Sequence, residues 1–391
     1  MQYVDLGRLP QSSSKKKAKK RVFKFAFLAL LLGLVIYSGY ILYWPVTVLV
    51  KQILKQPSSV LSLIRKPEGE LRIVDGRTNF LLVGIDKRST IPYSYKLGND
   101  TVKKNGFNSD TILVVSLDKK TKNVSMVSIP RDLWVKTKAN GKFGAYSGKI
   151  NSLYSIGEMQ NYPSGGGMGL LKNKVEEIIG VPIQYTSRID FDGFRKGVDI
   201  LDGLDIVVDN SFDDYEYPRE GFENSICKDG TYSCQVEHIH FDKGLVSMDG
   251  SEALKYARSR KGNNGEGSDF ARSKRQQKVL VAAKEKALKI QNFFDPIKIN
   301  SLFKEFGQSV ETDIDISAMT ALYNMSKKVK TDSIDSLVLS NATDNYLYVP
   351  PADQYGSAYV LLPKGNDWEK IQQTVKDLLA NETQDTPALE N

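Results

Sequence analysis

The sequence predicts an α/β domain, in which helices flank a central β-sheet, preceded by a single transmembrane helix. Short apolar runs bounded by polar turns, such as NFLLVGI at 79–85 and ILVVSLD at 112–118, are typical of buried strands. Helical segments alternate with such runs later in the chain, an order that favours helices packed on a sheet. One apolar run near the N-terminus, at 22–44, is long enough to cross a bilayer.

The first 24 residues hold most of the net positive charge. The chain of 391 residues has a formal charge of +8, and its first 24 residues contain eight basic side chains against one aspartate. The remainder is therefore close to neutral, and the basic tail is too short to be a DNA-reading fold. We expect no nucleic-acid partner.

The apolar run at 22–44 is interrupted by Lys24 and Ser38 alone, and aromatic residues crowd its end as in an interfacial belt. A cleaved signal peptide is the alternative. However, the run is longer than the usual apolar segment of a signal peptide, and no small-x-small cleavage site precedes Pro45. We predict a signal-anchor in the cytoplasmic membrane. The basic residues 1–21 would stay in the cytoplasm, and the rest of the chain would lie outside.

The remaining chain divides into three parts. Residues 45–77 form a predicted juxtamembrane linker that contains several prolines and serines. Residues 78–380 carry the strand and helix patterns and form the predicted main domain. Residues 381–391 are polar and are predicted to be disordered.

The main domain begins with three predicted strands. The runs at 112–118 and 124–129 are joined by the turn KKTKN, which predicts an antiparallel hairpin. A polar insertion between the first two strands, at 90–106, is predicted to be a mobile loop. Strands at 181–190 and 205–209 enclose a predicted helix at 191–201, in which Phe191 and Phe194 are expected to belong to the core. Long helices at 273–291 and 368–380 and a strand at 336–340 complete the domain.

The two cysteines, Cys227 and Cys234, flank a turn-like segment outside the predicted membrane. A disulfide could persist there and would stabilise the small loop by about 2–3 kcal/mol. A zinc site is the alternative, but His238 and His240 lie on alternating strand sequence.

Asp86 follows the first predicted strand, and Asp110 precedes the second. Carboxylates at the ends of neighbouring strands can meet at one edge of a sheet, where two of them beside a phosphate suit Mg²⁺. Ordinary turn and capping aspartates are the alternative interpretation.

The segment at 249–278 is rich in arginine. Arg258 and Arg260 are two residues apart, which places both side chains on one face if the backbone is extended. Arg272 and Gln276 follow at helical i,i+4 spacing. Guanidinium groups fit phosphate oxygens in pairs, so the segment favours an anion site. A solvated basic face is the alternative.

Seven short motifs occur in an order that resembles the LytR-CpsA-Psr family of cell-envelope proteins. The motifs are VGID at 83–86, NSDT at 108–111, SIPRD at 128–132, KIN at 149–151, DFDGF at 190–194, YARSRK at 256–261 and DFARSKRQQ at 269–277. The resemblance implies an extracytoplasmic domain with a mixed central sheet and an apolar tunnel for a lipid. The insertion at 90–106 is longer than the family pattern suggests.

The activity that the resemblance implies is a phosphotransferase. It would move a glycopolymer, such as wall teichoic acid or capsule, from a polyprenyl-diphosphate carrier to peptidoglycan. The implied catalytic residues are Arg131, Arg258, Arg260 and Asp110. The implied diphosphate ligands are Arg88, Arg131, Arg258, Arg260, Arg272 and Gln276. Asp86 and Asp110 would hold Mg²⁺ or Mn²⁺, and Lys149 and Asp269 are weaker candidates.

Two other functions are alternatives to a phosphotransferase. A binding module could hold polyprenyl phosphate or glycan without turnover. A transcriptional attenuator is the historical label of the family, but the predicted topology places the domain on the wrong side of the membrane for it.

Overall fold

The structure is a computed structural model that describes residues 70–87, 93–97, 101–140, 143–222, 225–289, 306–329, 334–341 and 346–380. The chain divides into two compact units, Met1–Arg65 and Lys66–Asn391, and the first unit lies outside the described residues. The predicted anchor at 22–44, the tails at 1–21 and 381–391, and most of the linker at 45–77 also lie outside them. Within the described ranges, no helix has the length and hydropathy of a membrane span.

Sixteen strands are assigned in the described part of the chain. They are β1 (Arg77–Ile85), β2 (Ser94–Leu97), β3 (Thr101–Lys104), β4 (Ser109–Asp118), β5 (Val124–Ile129), β6 (Trp134–Thr137), β7 (Tyr146–Lys149), β8 (Tyr185–Asp190), β9 (Leu204–Val208), β10 (Phe212–Pro218), β11 (Val236–Phe241), β12 (Gly244–Met248), β13 (Val310–Thr312), β14 (Ile334–Val338), β15 (Leu347–Tyr348) and β16 (Leu362–Pro363).

The α-helices that position the site and its core are numbered in chain order. They are α1 (Ser152–Met159), α2 (Gly166–Ile179), α3 (Phe191–Ile200), α4 (Gly250–Arg258), α5 (Asp269–Lys289), α6 (Ile316–Ser326) and α7 (Glu369–Ala380).

The central sheet has six strands in the order β13-β8-β1-β4-β5-β14. Strand β1 is antiparallel to β4 and parallel to β8, and β14 is parallel to β5. The sheet is therefore mixed, and the predicted α/β class with a mixed central sheet is confirmed. The predicted hairpin is also confirmed, because β4 and β5 are antiparallel and the Asp118 carboxylate accepts hydrogen bonds from the turn amides of Lys120 and Thr121.

Alternate residues of β1 face two different apolar cores. Leu81, Val83 and Ile85 pack in the core that contains α1, α2 and α7, whereas Phe80 and Leu82 face the core that contains α6. Both faces of the strand are thus apolar, which explains its continuous hydrophobic sequence. A third core lies among α3, α4, α5 and the strands β9 to β12.

Two predicted features differ in the structure. The insertion at 90–106 contains the hairpin of β2 and β3, because its polar residues pair through the backbone instead of forming a simple loop. The strand predicted at 205–209 corresponds to β9, but it lies outside the central sheet and pairs with β12 in a separate two-stranded sheet. The apolar residues of β9 point into the third core, which the sequence order does not reveal.

Helix α4 corrects a prediction about the arginine segment. Asp249 accepts a hydrogen bond from the Glu252 amide, and the Glu252 carboxylate accepts one from the Asp249 amide, which is a complete capping box. This cap starts a helix that ends at Arg258. Arg258 is therefore helical, and extended backbone begins only at Ser259 (φ −50°, ψ 137°).

Candidate active site

One cleft of about 300 Å³ collects most of the predicted site residues, and we call it the arginine cleft. Its lining includes Asp86, Asp110, Arg131, Arg258, Arg260, Arg272 and Gln276. These residues come from the edge of the central sheet, from the end of α4 and from the first two turns of α5. Arg88, the remaining predicted ligand, lies outside the described residues.

The two aspartates meet because β1 and β4 are antiparallel neighbours. Ile85 is the register partner of Ser109, so Asp86 follows one strand where Asp110 begins the other. The Asp86 amide donates to the Asn108 carbonyl at 3.1 Å, which ties the two strand ends together. Both carboxylates therefore lie at the same edge of the sheet, as the predicted cation site requires.

Arg131 is anchored by acidic neighbours. Its Nη1 donates to the Asp110 carboxylate at 2.8 Å, and its Nε lies 3.6 Å from an Asp132 oxygen. Burial opposes the charge of the guanidinium, but the two aspartates outweigh burial and raise the pKa of Arg131. The buried Nε forms no hydrogen bond in the described part of the chain, and it faces the Asp132 carboxylate at ion-pair distance.

Arg258 is held by aromatic side chains. Its guanidinium lies 3.9 Å above the ring centre of Phe191 and donates to the Tyr217 hydroxyl at 3.0 Å. Phe191 was expected to be a core residue, but it also lines the arginine cleft as the platform for this guanidinium. Neither Tyr217 nor this role of Phe191 follows from a sequence motif.

Arg260 and Arg272 share one carboxylate. Asp269 lies 3.6 Å from Arg260 Nη2 and 3.2 Å from Arg272 Nη1. Burial lowers the pKa of Arg272, and the nearby charges of Arg260 and Arg131 lower it further while Asp269 opposes them. Burial is the largest cause of this shift, and the guanidinium stays charged at neutral pH, so a buried positive charge lines the cleft.

The backbone between the paired arginines is fixed by two buried charges. Asp214 Oδ2 accepts hydrogen bonds from the Ser259 hydroxyl at 2.7 Å and from the amides of Arg260 and Lys261 at 3.2 and 3.1 Å. From the other side, Arg275 donates to the carbonyls of Ser259 and Tyr256. Asp214 and Arg275 are 1% and 2% exposed, respectively. Sequence analysis missed both residues.

Gln276 connects α5 to the sheet. Its amide nitrogen donates to the Thr111 hydroxyl at 3.1 Å, next to Asp110. The charged lining of the cleft is completed by Lys261, Asp214 and Glu216, so guanidinium and ammonium groups outnumber carboxylates there. No serine, cysteine or histidine is found among the described residues that line it. The arrangement suits charge stabilisation on an anion rather than covalent catalysis.

The carboxylates suit a cation that is shared with a substrate. In the described ranges, no three or more His, Cys, Asp or Glu side chains are grouped as a metal site. Mg²⁺ is commonly held by one or two carboxylates together with phosphate oxygens and water. The oxygen donors of Asp86 and Asp110 at one sheet edge fit that pattern, provided that a phosphate supplies the other ligands.

A second polar pocket adjoins the arginine cleft. Its volume is about 630 Å³, and we call it the amide pocket because three asparagines line it. It shares Asp86, Asp110 and Arg131 with the arginine cleft; its other lining residues are Asn105, Gly106, Phe107, Asn108, Asp132, Lys149 and Asn151. Lys149, a weaker predicted candidate, donates to Asp132 at 2.6 Å and thus contacts this pocket.

An apolar cavity of about 530 Å³ lies between the central sheet and the helices α5 and α6. Phe80, Leu82 and Val115 line it from the sheet, and Leu280 and Leu322 line it from the helices. A cavity with such walls can take an acyl or prenyl chain, which is the kind of tunnel that the resemblance implies.

Cys227 and Cys234 form a disulfide in the structure and do not line the arginine cleft. His238 and His240 lie on β11, where both rings contact the Asp213 carboxylate at 2.7 and 2.8 Å. The sulfurs are bonded to each other, so they are not ligands of a zinc ion with these histidines.

The chain is similar to a known protein family and to named transferases. The LytR_cpsA_psr family model matches residues 52–377. The polyisoprenyl-teichoic acid–peptidoglycan teichoic acid transferase TagV of Bacillus subtilis is 29% identical over 369 residues, which cover 93% of this chain and 80% of TagV. The enzyme of the same activity named TagU, from Oceanobacillus iheyensis, is 29% identical over 244 residues, which cover 62% of this chain and 61% of TagU.

Solved structures share the fold. The crystal structure of B. subtilis TagV superposes with a TM-score of 0.52 and 26% identity, over 79% of this chain and 99% of that one. The structure of TagT bound to LIIa-WTA has a TM-score of 0.51 and 22% identity, over 81% of this chain and 98% of that one. At that identity, the second likeness concerns the fold alone.

Proposed function

The chain belongs to the LytR-CpsA-Psr family, and from this premise we propose that it is a phosphotransferase of cell-envelope assembly. It transfers a glycopolymer, such as wall teichoic acid or capsular polysaccharide, from a polyprenyl-diphosphate carrier to peptidoglycan. The relatives TagV and TagU are named for the transfer of teichoic acid from a polyisoprenyl carrier to peptidoglycan, which supports this activity. The observation that carries the proposal is the convergence of Arg131, Arg258, Arg260 and Arg272 on one cleft beside two aspartates.

The reaction joins an acceptor hydroxyl to the phosphorus that carries the glycopolymer. A new oxygen–phosphorus bond forms, the bond to the bridging diphosphate oxygen breaks, and polyprenyl phosphate leaves. Negative charge develops on the bridging oxygen as that bond breaks. The fixed guanidinium groups of the arginine cleft stabilise this charge where it arises, which is usually the largest catalytic contribution.

Each arginine is positioned before the substrate binds. Asp110 holds Arg131, Phe191 and Tyr217 hold Arg258, and Asp269 holds both Arg260 and Arg272. Such fixed donors need no reorganisation during the reaction, and phosphoryl transfer depends mainly on positioning and electrostatics. The absence of a serine or cysteine nucleophile from the described lining of the cleft agrees with direct transfer.

Asp86 and Asp110 would hold Mg²⁺ or Mn²⁺ together with diphosphate oxygens. When bound, the ion would neutralise charge on the diphosphate. Asp110 also contacts Arg131, so this residue couples the proposed cation site to the guanidinium cluster.

The lipid and the membrane complete the proposal. The prenyl chain of the carrier would occupy the apolar cavity between the sheet and α5 and α6, which offers almost wholly apolar walls. The proposed anchor at 22–44 would keep the domain at the outer surface of the cytoplasmic membrane, where both the carrier and peptidoglycan are accessible.

The test is a transfer assay with the purified protein, a saccharide linked to polyprenyl diphosphate and a peptidoglycan acceptor. The wild type should release polyprenyl phosphate and label the acceptor. Arg258→Ala and Arg131→Ala should each lower kcat by about 10²-fold or more, the effect of removing one fixed donor. Unchanged rates in a folded variant would remove that arginine from the mechanism. Tight retention of the donor by the wild type without product would instead identify a carrier protein.

A further inference from the structure

We propose that the amide pocket is the binding site for the acceptor glycan. This inference rests on the proposed phosphotransferase activity and assigns the second substrate to a separate site. The pocket adjoins the arginine cleft at Asp86, Asp110 and Arg131 and otherwise has its own lining residues. Two differently lined pockets that meet at three charged residues match a reaction with two chemically different substrates.

The walls of the two pockets differ in their chemistry. Among the described residues, the arginine cleft has four guanidinium groups, whereas the amide pocket is lined by three asparagines and by five charged residues, of which three are aspartates. An amide both donates and accepts hydrogen bonds, as a sugar hydroxyl or acetamido group does. The volume of about 630 Å³ lies within the usual range of about 300–1,000 Å³ for small-molecule sites. The pocket is therefore suited to a neutral, hydroxyl-rich glycan rather than to a second diphosphate.

The direction of attack on phosphorus also favours the amide pocket. In phosphoryl transfer the attacking and leaving oxygens are roughly in line through phosphorus. The leaving bridging oxygen belongs among the guanidinium groups of the arginine cleft. A hydroxyl that attacks from beyond Asp110 and Arg131 would come from the amide pocket, where Asp132 is also present. The acceptor proton would pass to Asp132, which lines this pocket, or to solvent.

The walls of the amide pocket are pre-organised. The carbonyl of Asn151 accepts from the Ser109 amide at 2.9 Å, and the amide of Asn151 donates to the Arg131 carbonyl at 3.3 Å. Lys149 is bonded to Asp132 at 2.6 Å. Backbone hydrogen bonds thus join three separate chain segments around the pocket, which suits a binding site more than a surface recess.

The insertion at 90–106 contributes to the amide pocket. Its last residues, Asn105 and Gly106, line the amide pocket. Tyr93 anchors the beginning of the same insertion, because its hydroxyl donates to the buried Asp190 at 2.6 Å and its ring packs against Phe107. The Asn105 amide donates to the Tyr93 carbonyl at 2.9 Å, which closes the insertion at its base. The longer spacer between the two aspartates therefore supplies a wall of the proposed acceptor site.

The experiment fills the pocket without touching the arginine cleft. Asn108 is exposed, so Asn108→Trp should fold. Asn108 lines the amide pocket but not the arginine cleft, so the larger side chain should obstruct the acceptor. Asn173→Trp, at an exposed asparagine on α2 that lines neither pocket, is the matched control. We expect Asn108→Trp to raise the KM for a soluble peptidoglycan fragment about tenfold or more, with the Kd of the polyprenyl-diphosphate donor unchanged. Asn108→Ala, which removes the amide without filling the space, should raise the acceptor KM less.

A direct binding measurement separates this inference from the proposed function. Saturation-transfer NMR with the same peptidoglycan fragment, in the absence of donor, should show binding to the wild type and to Asn173→Trp but not to Asn108→Trp. A wild-type acceptor KM in folded Asn108→Trp would overturn the inference. A donor Kd that rises together with the acceptor KM would also overturn it, because the pocket would then hold the donor saccharide. A wild type that binds donor but never transfers would refute the proposed function, and the acceptor assignment with it.

Discussion

Asp214→Asn tests whether the buried carboxylate positions the paired arginines. Asp214 is 1% exposed and accepts hydrogen bonds from the Ser259 hydroxyl, from the amides of Arg260 and Lys261, and from the Glu216 amide at 3.0 Å. An asparagine keeps the shape but has a single oxygen. If that oxygen faces Ser259, the amide group opposes the Glu216 N–H, and one buried donor loses its acceptor.

The magnitude follows from this count. One unsatisfied buried donor costs about 1–3 kcal/mol, and the hydrogen bonds that remain lose the assistance of a charge. We therefore expect the free energy of unfolding to fall by about 2–4 kcal/mol, below the usual total of about 5–15 kcal/mol, so the variant should stay folded. Asp214→Ala would leave every one of these donors unpaired and is a poorer test, because it could unfold the domain.

The kcat of Asp214→Asn should fall even where the variant is fully folded. A displacement of about 1 Å in a positioning group can cost about 10²-fold in rate, and Asp214 sets the backbone from which Arg260 extends. We expect kcat to fall about ten- to a hundredfold at a temperature where the variant is fully folded. Guanidinium unfolding followed by tryptophan fluorescence gives the stability, and the transfer assay gives kcat and KM separately.

The control is Asp242→Asn, at a carboxylate whose side chain is 87% exposed. Its stability should change by no more than about 0.5 kcal/mol, and its kcat should match the wild type. If Asp214→Asn loses stability but keeps a wild-type kcat, the carboxylate is structural only and the positioning argument is refuted.

Two further predictions concern the cation and the disulfide. Removal of divalent ions with EDTA should abolish transfer, and added Mg²⁺ or Mn²⁺ should restore it. Asp86→Asn should raise the metal concentration needed for half-maximal activity. Full activity in EDTA would contradict the cation site. Replacing both Cys227 and Cys234 by serine should lower stability by about 2–3 kcal/mol through the loss of a short closed loop, and should leave kcat unchanged because the disulfide does not line the arginine cleft. A large loss of kcat in that variant at full folding would show that the loop contributes to the site.

The sequence predicted the central strands because their pattern is local. Strands β1, β4 and β5 contain continuous apolar runs between polar turns, and the turn at 119–123 joins β4 and β5 in a hairpin. The pairing of β9 with β12 was missed because strand partners depend on which core the apolar residues enter. The helical state of Arg258 has a local cause, the capping box at Asp249 and Glu252, which the spacing of the two arginines does not reveal.

The charged residues of the site were predictable as candidates and not as a site. Arginines and aspartates in short motifs indicated an anion site and a cation, because their chemistry is fixed by residue type, and the diphosphate was implied by the family resemblance. Their supports were not predictable. Asp214 and Tyr217 belong to β10, more than forty positions before the backbone and side chain that they hold, and neither lies in a recognisable motif.

By itself, then, the sequence determined the fold class, the antiparallel hairpin of β4 and β5, and the chemical character of the site. The tertiary structure alone decided which guanidinium groups share a cleft, which buried charges hold them, and that a second pocket lined by amides adjoins them. The physical reason is distance. Local patterns report backbone periodicity over a few residues, whereas a site is made by side chains that meet only after the sheet and helices have packed.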